Sequence, residues 1–266
     1  MLTYRWRRAN LFGQEPAQTA AQGWRLEDRS FHTAGPECSR GTSLRWTPAP
    51  SWRTESDGLT APDRQLALEK YRRCAATYDR WSKLTATRRR AIERLGLQPG
   101  DVVLDVGCGT GLSFALIEER IGTAGRLIGI DQSPEMLATA RERIATGAWG
   151  NVTLIDSSVG EAIIPAVADA VLFHFTHDIM RSPRALENVM RHAKQGARVV
   201  AAGMKWAPWW AVPVNLVAWR VARRAITTFE GFARPWSHLE HFAPDLHTEA
   251  MWLGAAYIAW GTVAKT

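Results

Sequence analysis

The sequence predicts an α/β fold, a mostly parallel sheet with helices on both faces, and three observations carry that reading. Val102, Val103, Leu104, Asp105 and Val106 form a short, nearly all-apolar run of the kind buried on both sides in a parallel sheet. Gly107, Gly109 and Gly111 follow it, and let the chain turn sharply into a helix near Leu112. Two further runs, at 126–131 and 151–157, carry acids at their ends with a helical stretch between them, the alternation that builds parallel sheets.

The remaining elements follow in chain order. Residues 1–62 show no sustained period of 2 or 3.6 and scatter Gly, Pro, Ser, Thr and Arg, as expected of a loosely ordered extension. Trp6, Trp24, Trp46 and Trp52 leave room there for a partly ordered cover over the domain. From Asp63 the pattern turns helical, with Leu66, Leu68, Tyr71, Ala75, Tyr78 and Trp81 recurring at mostly three- and four-residue steps. A second helix is expected over 86–95, and Pro99-Gly100 supplies the turn before the first strand. After the second strand, Ser133 reads as a helix cap, with Pro134 in the first turn and Glu135 near the positive helix end. Residues 169–175 and 197–203 read as two more strands, joined by one helix running from His177 to His192 with Asp178 at its cap or first turn. Residues 246–252 and 257–263 flank Gly254 as an antiparallel hairpin at the sheet edge.

Composition bounds the rest. With 266 residues, 46% of them hydrophobic, the chain has enough for one core of about 200 residues plus extensions. Cys38, Cys74 and Cys108 make neither a disulfide framework nor a paired metal-ligand spacing, which points to a reducing, cytoplasmic setting with no metal. There is no apolar run near the start of the kind a secretory signal needs. A net charge of +7 would suit a nucleic-acid partner. However, Arg88-Arg89-Arg90 and the arginines after Trp219 are separate, and a charge run is usually a solvated helix face.

The glycine spacing discriminates between ligands. A dinucleotide site needs G-x-G-x-x-G, but Leu112 stands where that third glycine would fall. Asp105 would repel a pyrophosphate and attract an ammonium group. The strand-Asp-x-Gly-x-Gly-x-Gly arrangement resembles the first motif of class I S-adenosylmethionine (SAM)-dependent methyltransferases, whose ligand has an amino-acid tail and no phosphate. Tyr71-x6-Tyr78-Asp79 resembles the N-terminal helix of the subfamily that includes ubiquinone/menaquinone-biosynthesis and phospholipid N-methyltransferases, the type 11 methyltransferases.

That resemblance implies a Rossmann-like sheet of seven strands with one reversed, and S-adenosylhomocysteine as the released product. It implies a cofactor site built from Asp105, Gly107, Cys108, Gly109, Gln132, Met136, Ser157 and Phe173, with Asp131 on the ribose and Asp156 on the adenine amino group. Cys108 is expected there for its small size between two glycines rather than as a nucleophile. Strand ends at this edge of an α/β sheet carry chemistry, so His174 and His177 are the candidate catalytic bases. Residues 204–245 are expected as an insertion in the domain spanning 63–266, forming the acceptor site with Tyr71, Tyr78, Trp206, Trp209 and Trp210.

The stretch 207–219 is apolar, yet it contains Pro208, Pro213 and Asn215 and falls short of the ~20 residues that span a bilayer. Val212, Leu216 and Trp219 fall at helical steps ahead of Arg220, Arg223 and Arg224. That pattern fits a lid over an apolar pocket, favoured here, or an interfacial helix in peripheral contact with a membrane. The reading is a SAM-dependent methyltransferase acting on an apolar or aromatic small molecule at oxygen, nitrogen or carbon. The alternatives are a membrane-associated enzyme of a lipid or quinone, a nucleic-acid methyltransferase, or a non-catalytic partner protein. His174-Phe175-Thr176-His177 stands where nucleic-acid amino-methylating enzymes carry Asn/Asp-Pro-Pro-Tyr/Phe, which counts against nucleic acid.

Overall fold

Alternation of side chains along five parallel strands divides the interior into two cores, one on each face of a central sheet. The computed structural model describes residues 62–81 and 85–264, the side chains of 73–78, 80–81 and 85 excepted, and all of these lie in one compact unit. Among the described residues the sheet has seven strands: β1 (Val102–Val106), β2 (Arg126–Asp131), β3 (Val152–Asp156), β4 (Ala168–His174), β5 (Ala193–Met204), β6 (His247–Met251) and β7 (Ala256–Thr262). Their order is β3-β2-β1-β4-β5-β7-β6, with β7 antiparallel to both of its neighbours. The expected seven-stranded sheet with one reversed strand is therefore present.

Period 2 assigns the faces. Leu104, Val106, Ile128, Ile130, Val171 and Phe173 point to one side, where they meet Leu186, Val189 and Met190 of α6 (Pro183–Arg191). Val103, Leu127, Ala170 and Leu172 point to the other, against α2 (Thr85–Leu95), α3 (Phe114–Ile121) and α4 (Pro134–Gly147). Asp105, Asp131 and His174 occupy alternate positions on this second face, so the carboxyl edge there carries the polar groups.

Several boundaries differ from expectation for local reasons. The helix over 177–192 is two helices, α5 (His177–Met180) and α6, because Pro183 excludes Ser182 from helical geometry; Ser182 instead caps α6 through Ala185 N–H at 3.3 Å. The third element starts at Phe114 rather than near Leu112, since Gly111 at φ 76° prolongs the turn. β5 begins at Ala193, earlier than 197, through a register shift that Gly196 at φ 75° accommodates. Ser133 caps α4 as expected, with Pro134 in its first turn.

Before the sheet, α1 (Arg64–Trp81) lies across its carboxyl edge and is tied down on two sides. Asp79 accepts from the Thr110 hydroxyl at 2.6 Å and from Arg143 of α4 at 2.6 Å. Lys70 donates to the carbonyls of Arg223 and Ile226, at the end of α7 (Val212–Ala222). The extension expected over 1–62 lies outside the described residues except for Pro62.

Candidate cofactor and acceptor site

At the carboxyl edge, beneath α1, lies a cavity of ≈ 270 Å³. The glycine loop supplies its floor through Gly107 and Gly109. Gly107 sits at φ 69°, and a Cβ there would meet Thr176 Cγ2 at 2.6 Å, so only glycine fits the close approach to the β4–α5 turn. A Cβ on Gly109, at φ 55°, would instead enter open space. The free space over Gly109 is a cradle in which a ligand can approach the backbone.

Asp131 closes one side of that cradle. Its two carboxylate oxygens accept from Gly109 N–H and Ser133 N–H, both at 2.9 Å, which fixes the carboxylate while leaving it lone pairs toward the cavity. Burial raises its pKa, against these backbone hydrogen bonds. Gln132 and Met136 also line the cavity.

Asp105 lies behind the loop, in a small polar recess that shares Gly107, Gly109 and His174 with the main cavity. Its Oδ2 is buried and has no hydrogen-bond partner. Burial pushes its carboxyl up to about 7, with Arg88 opposing and Asp131 adding to the shift. An orphaned, buried carboxylate oxygen beside a glycine cradle fits an ammonium group, because a cation would remove the desolvation cost. Arg88 is itself buried on α2 and lines the recess, whereas Arg89 is exposed and Arg90 pairs with Glu93 and Glu249. The triple-arginine run is thus not a uniform solvated face.

Other expected contacts are corrected. Asp156 is level with Asp131 in the β2–β3 ladder, but it is exposed and does not line the cavity; Ser157 donates to the Ser158 carbonyl, and Ser158 and Val159 take the lining position instead. Asp105 pairs with Gly129, so the three acids are not in one row. Phe173 points into the opposite core and is 1% exposed, so its side chain cannot touch a ligand in the cavity. Cys108 lines only the recess, with its sulfur against Gly129, consistent with a small residue chosen for packing.

On the acceptor side, His174, Phe175, Thr176, His177, Asp178 and Ile179 form the wall after β4. Phe175 holds φ 61°, a conformation costly for an aromatic residue, while its N–H donates to Ala202 at 2.7 Å. This turn carries His174 and His177 into one wall. Burial holds both imidazoles below their ordinary range: His174 well below, with Arg88 adding, and His177 down to about 4, with Arg181 adding. Both are neutral at neutral pH, and neither has the value near 6.5 expected of a proton acceptor here. Asp178 is not free either, since its carboxylate accepts from Thr227 N–H at 2.9 Å and the Thr227 hydroxyl at 2.8 Å.

Tyr71 lines the cavity from α1, and Tyr78 lies among the side chains outside the described residues. Trp206 stands behind the wall, stacked on Phe229 and edge-on to Phe232, which in turn packs on His177. Trp209 and Trp210 are 87% and 66% exposed and do not line the cavity. They precede α7, whose inner face is built of small residues: Ala211 at its cap and Ala218 and Ala222 along it pack inward, while Val212, Leu216 and Val217 turn to solvent. Ile226, which the sequence reading passed over, is the insertion's contact with the cavity.

Residues 103–196 match a family model described as a methyltransferase domain. The chain is 31% identical over 140 residues to the chloroplastic 2-phytyl-1,4-beta-naphthoquinone methyltransferase of Arabidopsis thaliana, covering 48% of this chain and 54% of that one. It is 31% identical over 116 residues to a ubiquinone/menaquinone biosynthesis C-methyltransferase of Hydrogenovibrio crunogenus, covering 42% and 46%. The matched stretch thus spans about half the length of these curated relatives. Among solved structures, an N-methyltransferase of Bradyrhizobium japonicum in complex with S-adenosyl-L-homocysteine shares the fold, with a TM-score of 0.55 at 14% identity over 75% of this chain and 99% of that one. The methyltransferase-domain match runs from β1 into β5, and the sheet order is that of the Rossmann-like fold shared by SAM-dependent methyltransferases.

Proposed function

We propose that this protein binds SAM and transfers its methyl group to an apolar or aromatic small molecule at nitrogen or carbon, or at an oxygen that is already ionised. The observation that carries the donor half is the buried, unpartnered Oδ2 of Asp105 beside the open cradle at Gly109. In this reading Asp105 holds the ammonium of the amino-acid tail, Asp131 the ribose hydroxyls, and Met136 with Gln132 the adenine face. The donor, when bound, supplies an electrophilic methyl group on a sulfonium.

The chain's own residues align the acceptor. Displacement at carbon needs the attacking atom held in line with the methyl group, and the close packing of Gly107 against Thr176 keeps the donor floor and acceptor wall in fixed relation. His174 and His177, kept neutral by burial, are poor proton acceptors for an alcohol or phenol. They serve to orient the acceptor and to line an uncharged wall. The quinone methyltransferases among the relatives favour a quinol-like acceptor as the second, narrower reading, in which a lipid-soluble ring is methylated at carbon.

The test is mass spectrometry of reactions between SAM, the full-length protein and a panel of quinols, amines, phenols and lipids. The expected result is an acceptor heavier by one methylene, with S-adenosylhomocysteine formed in equal amount. Donor binding with no product over the whole panel would favour a non-catalytic partner protein.

A further inference from the structure

We infer that the exposed face of the insertion is a docking surface for an anionic lipid bilayer, seating the acceptor cavity at the membrane. For its use the surface rests on the methyl-transfer reading, but its existence is tested without any donor. Among the described residues no helix is long and apolar enough to cross a membrane, so contact would be at the surface.

Three observations carry the inference. First, α7 is built inside out for a soluble helix: alanines face the protein, while Val212, Leu216 and Val217 are exposed next to Trp209 and Trp210. Second, a separate loop adds to the same patch. Trp252 and Leu253, between β6 and β7, hold φ 51° and 54°, a strained pair for residues other than glycine, and Leu253 is 77% exposed. Gly254 brings that loop against Pro208, the residue before Trp209, so the two apolar tips adjoin. Third, the insertion's own charge along this stretch has one sign. From Lys205 to Phe229 there is no acidic residue, while Arg220, Arg223 and Arg224 are exposed at the far end of α7.

Apolar and tryptophan side chains at one end of an eleven-residue helix, with arginines about two turns on, match the depth profile of a bilayer surface. The tryptophans enter the headgroup boundary, and the arginines meet the phosphates. An anionic surface meets these arginines with opposite charge, which the same stretch of a second copy, with no acid between Lys205 and Phe229, does not supply, so charge favours lipid over self-association. The arginine end of α7 also leads to the cavity, because Ile226 lines it and Lys70 of α1 binds the Arg223 and Ile226 carbonyls. A bilayer on this face would thus lie beside the acceptor wall, which suits a lipid-soluble acceptor.

The experiment is co-sedimentation of the full-length protein with vesicles of phosphatidylcholine alone or mixed with phosphatidylglycerol, without SAM. We expect binding to the anionic vesicles, weakened by salt, and little to the neutral ones. Replacing Arg220, Arg223 and Arg224 together with Gln should weaken binding roughly 100-fold, at about fivefold per charge near the surface. Trp209→Ser with Trp210→Ser should weaken it by about tenfold or more, and an unchanged unfolding temperature in each variant shows that the fold is kept. Absence of vesicle binding, equal binding to neutral vesicles, or binding indifferent to both sets of variants would overturn the inference. So would a dimer in sedimentation velocity that Trp209→Ser abolishes, or vesicle binding that appears only when residues 1–61 are removed. Vesicle binding by a protein that does not bind SAM would strike the activity and leave the surface standing.

Discussion

At the scale of single residues, chemistry was legible where the backbone dictates it and illegible where orientation does. Asp105, Asp131 and the glycines lie where their spacing puts them, since a strand followed by a glycine hinge has few ways to turn. Phe173 and Asp156 also stand at strand ends, but one points into the opposite core and the other ends outside the cavity. Which face a residue takes depends on where pairing begins, and a one-residue difference reverses it. His177 shows the same limit in its electrostatics: its identity could be read, but not the burial that takes it to about 4. Below an unfolded value near 6.5 the unfolded chain binds a proton that the folded protein refuses. His177 therefore supports stability fully above pH 6.5, and that support is lost as pH falls to about 4, by about 3 kcal/mol. The prediction is that His177→Gln loses less stability than the parent between pH 7 and pH 4.5, measured by urea unfolding. Equal losses would mean that His177 accepts a proton in the folded state. For the same reason the methyl-transfer rate should show no histidine titration between pH 6 and pH 8.

At the scale of elements, strands β1, β2 and β4 were readable almost to the residue, because each is an apolar run bounded by Gly, Pro or acids. The single helix expected over 177–192 failed at Ser182-Pro183, a break that the proline itself announces. α7 was found as a helix but read inside out, because its buried ridge is alanine and hydrophobicity alone favours the larger residues as the inner face. α1 shows what sequence periodicity omits: among its described contacts are polar links to the site, from Asp79 to Thr110 and Arg143. That link is about a third exposed, so Asp79→Ala should cost only about 1 kcal/mol. Hydrogen exchange should rise in residues 64–81 and stay unchanged in β1 and β2. Unaltered exchange in α1 would show that the helix is held by other contacts.

At the scale of the whole molecule, the fold was set by order: five parallel strands with alternating apolar faces admit helices on both sides and place the carboxyl edge where α1 can cover it. The net charge of +7 was legible as a number but not as a distribution. In the structure Arg88 is buried in the polar recess beside Asp105, Arg90 and Arg94 pair with Glu249, and Arg220, Arg223 and Arg224 are exposed. The charge thus serves different ends in different places. The central claim is that the carboxylates of Asp105 and Asp131 form the donor site, and calorimetric titration of the full-length protein with SAM tests it most directly. Asp131→Ala should weaken binding by about 10-fold or more through loss of charge-assisted hydrogen bonds. At pH 6, where Asp105 with its pKa of about 7 is mostly protonated, binding an ammonium should release a proton and make the measured heat depend on the buffer. Asp105→Asn should abolish that dependence. Unchanged affinity in Asp131→Ala, together with heats at pH 6 that are the same in every buffer, would contradict the account.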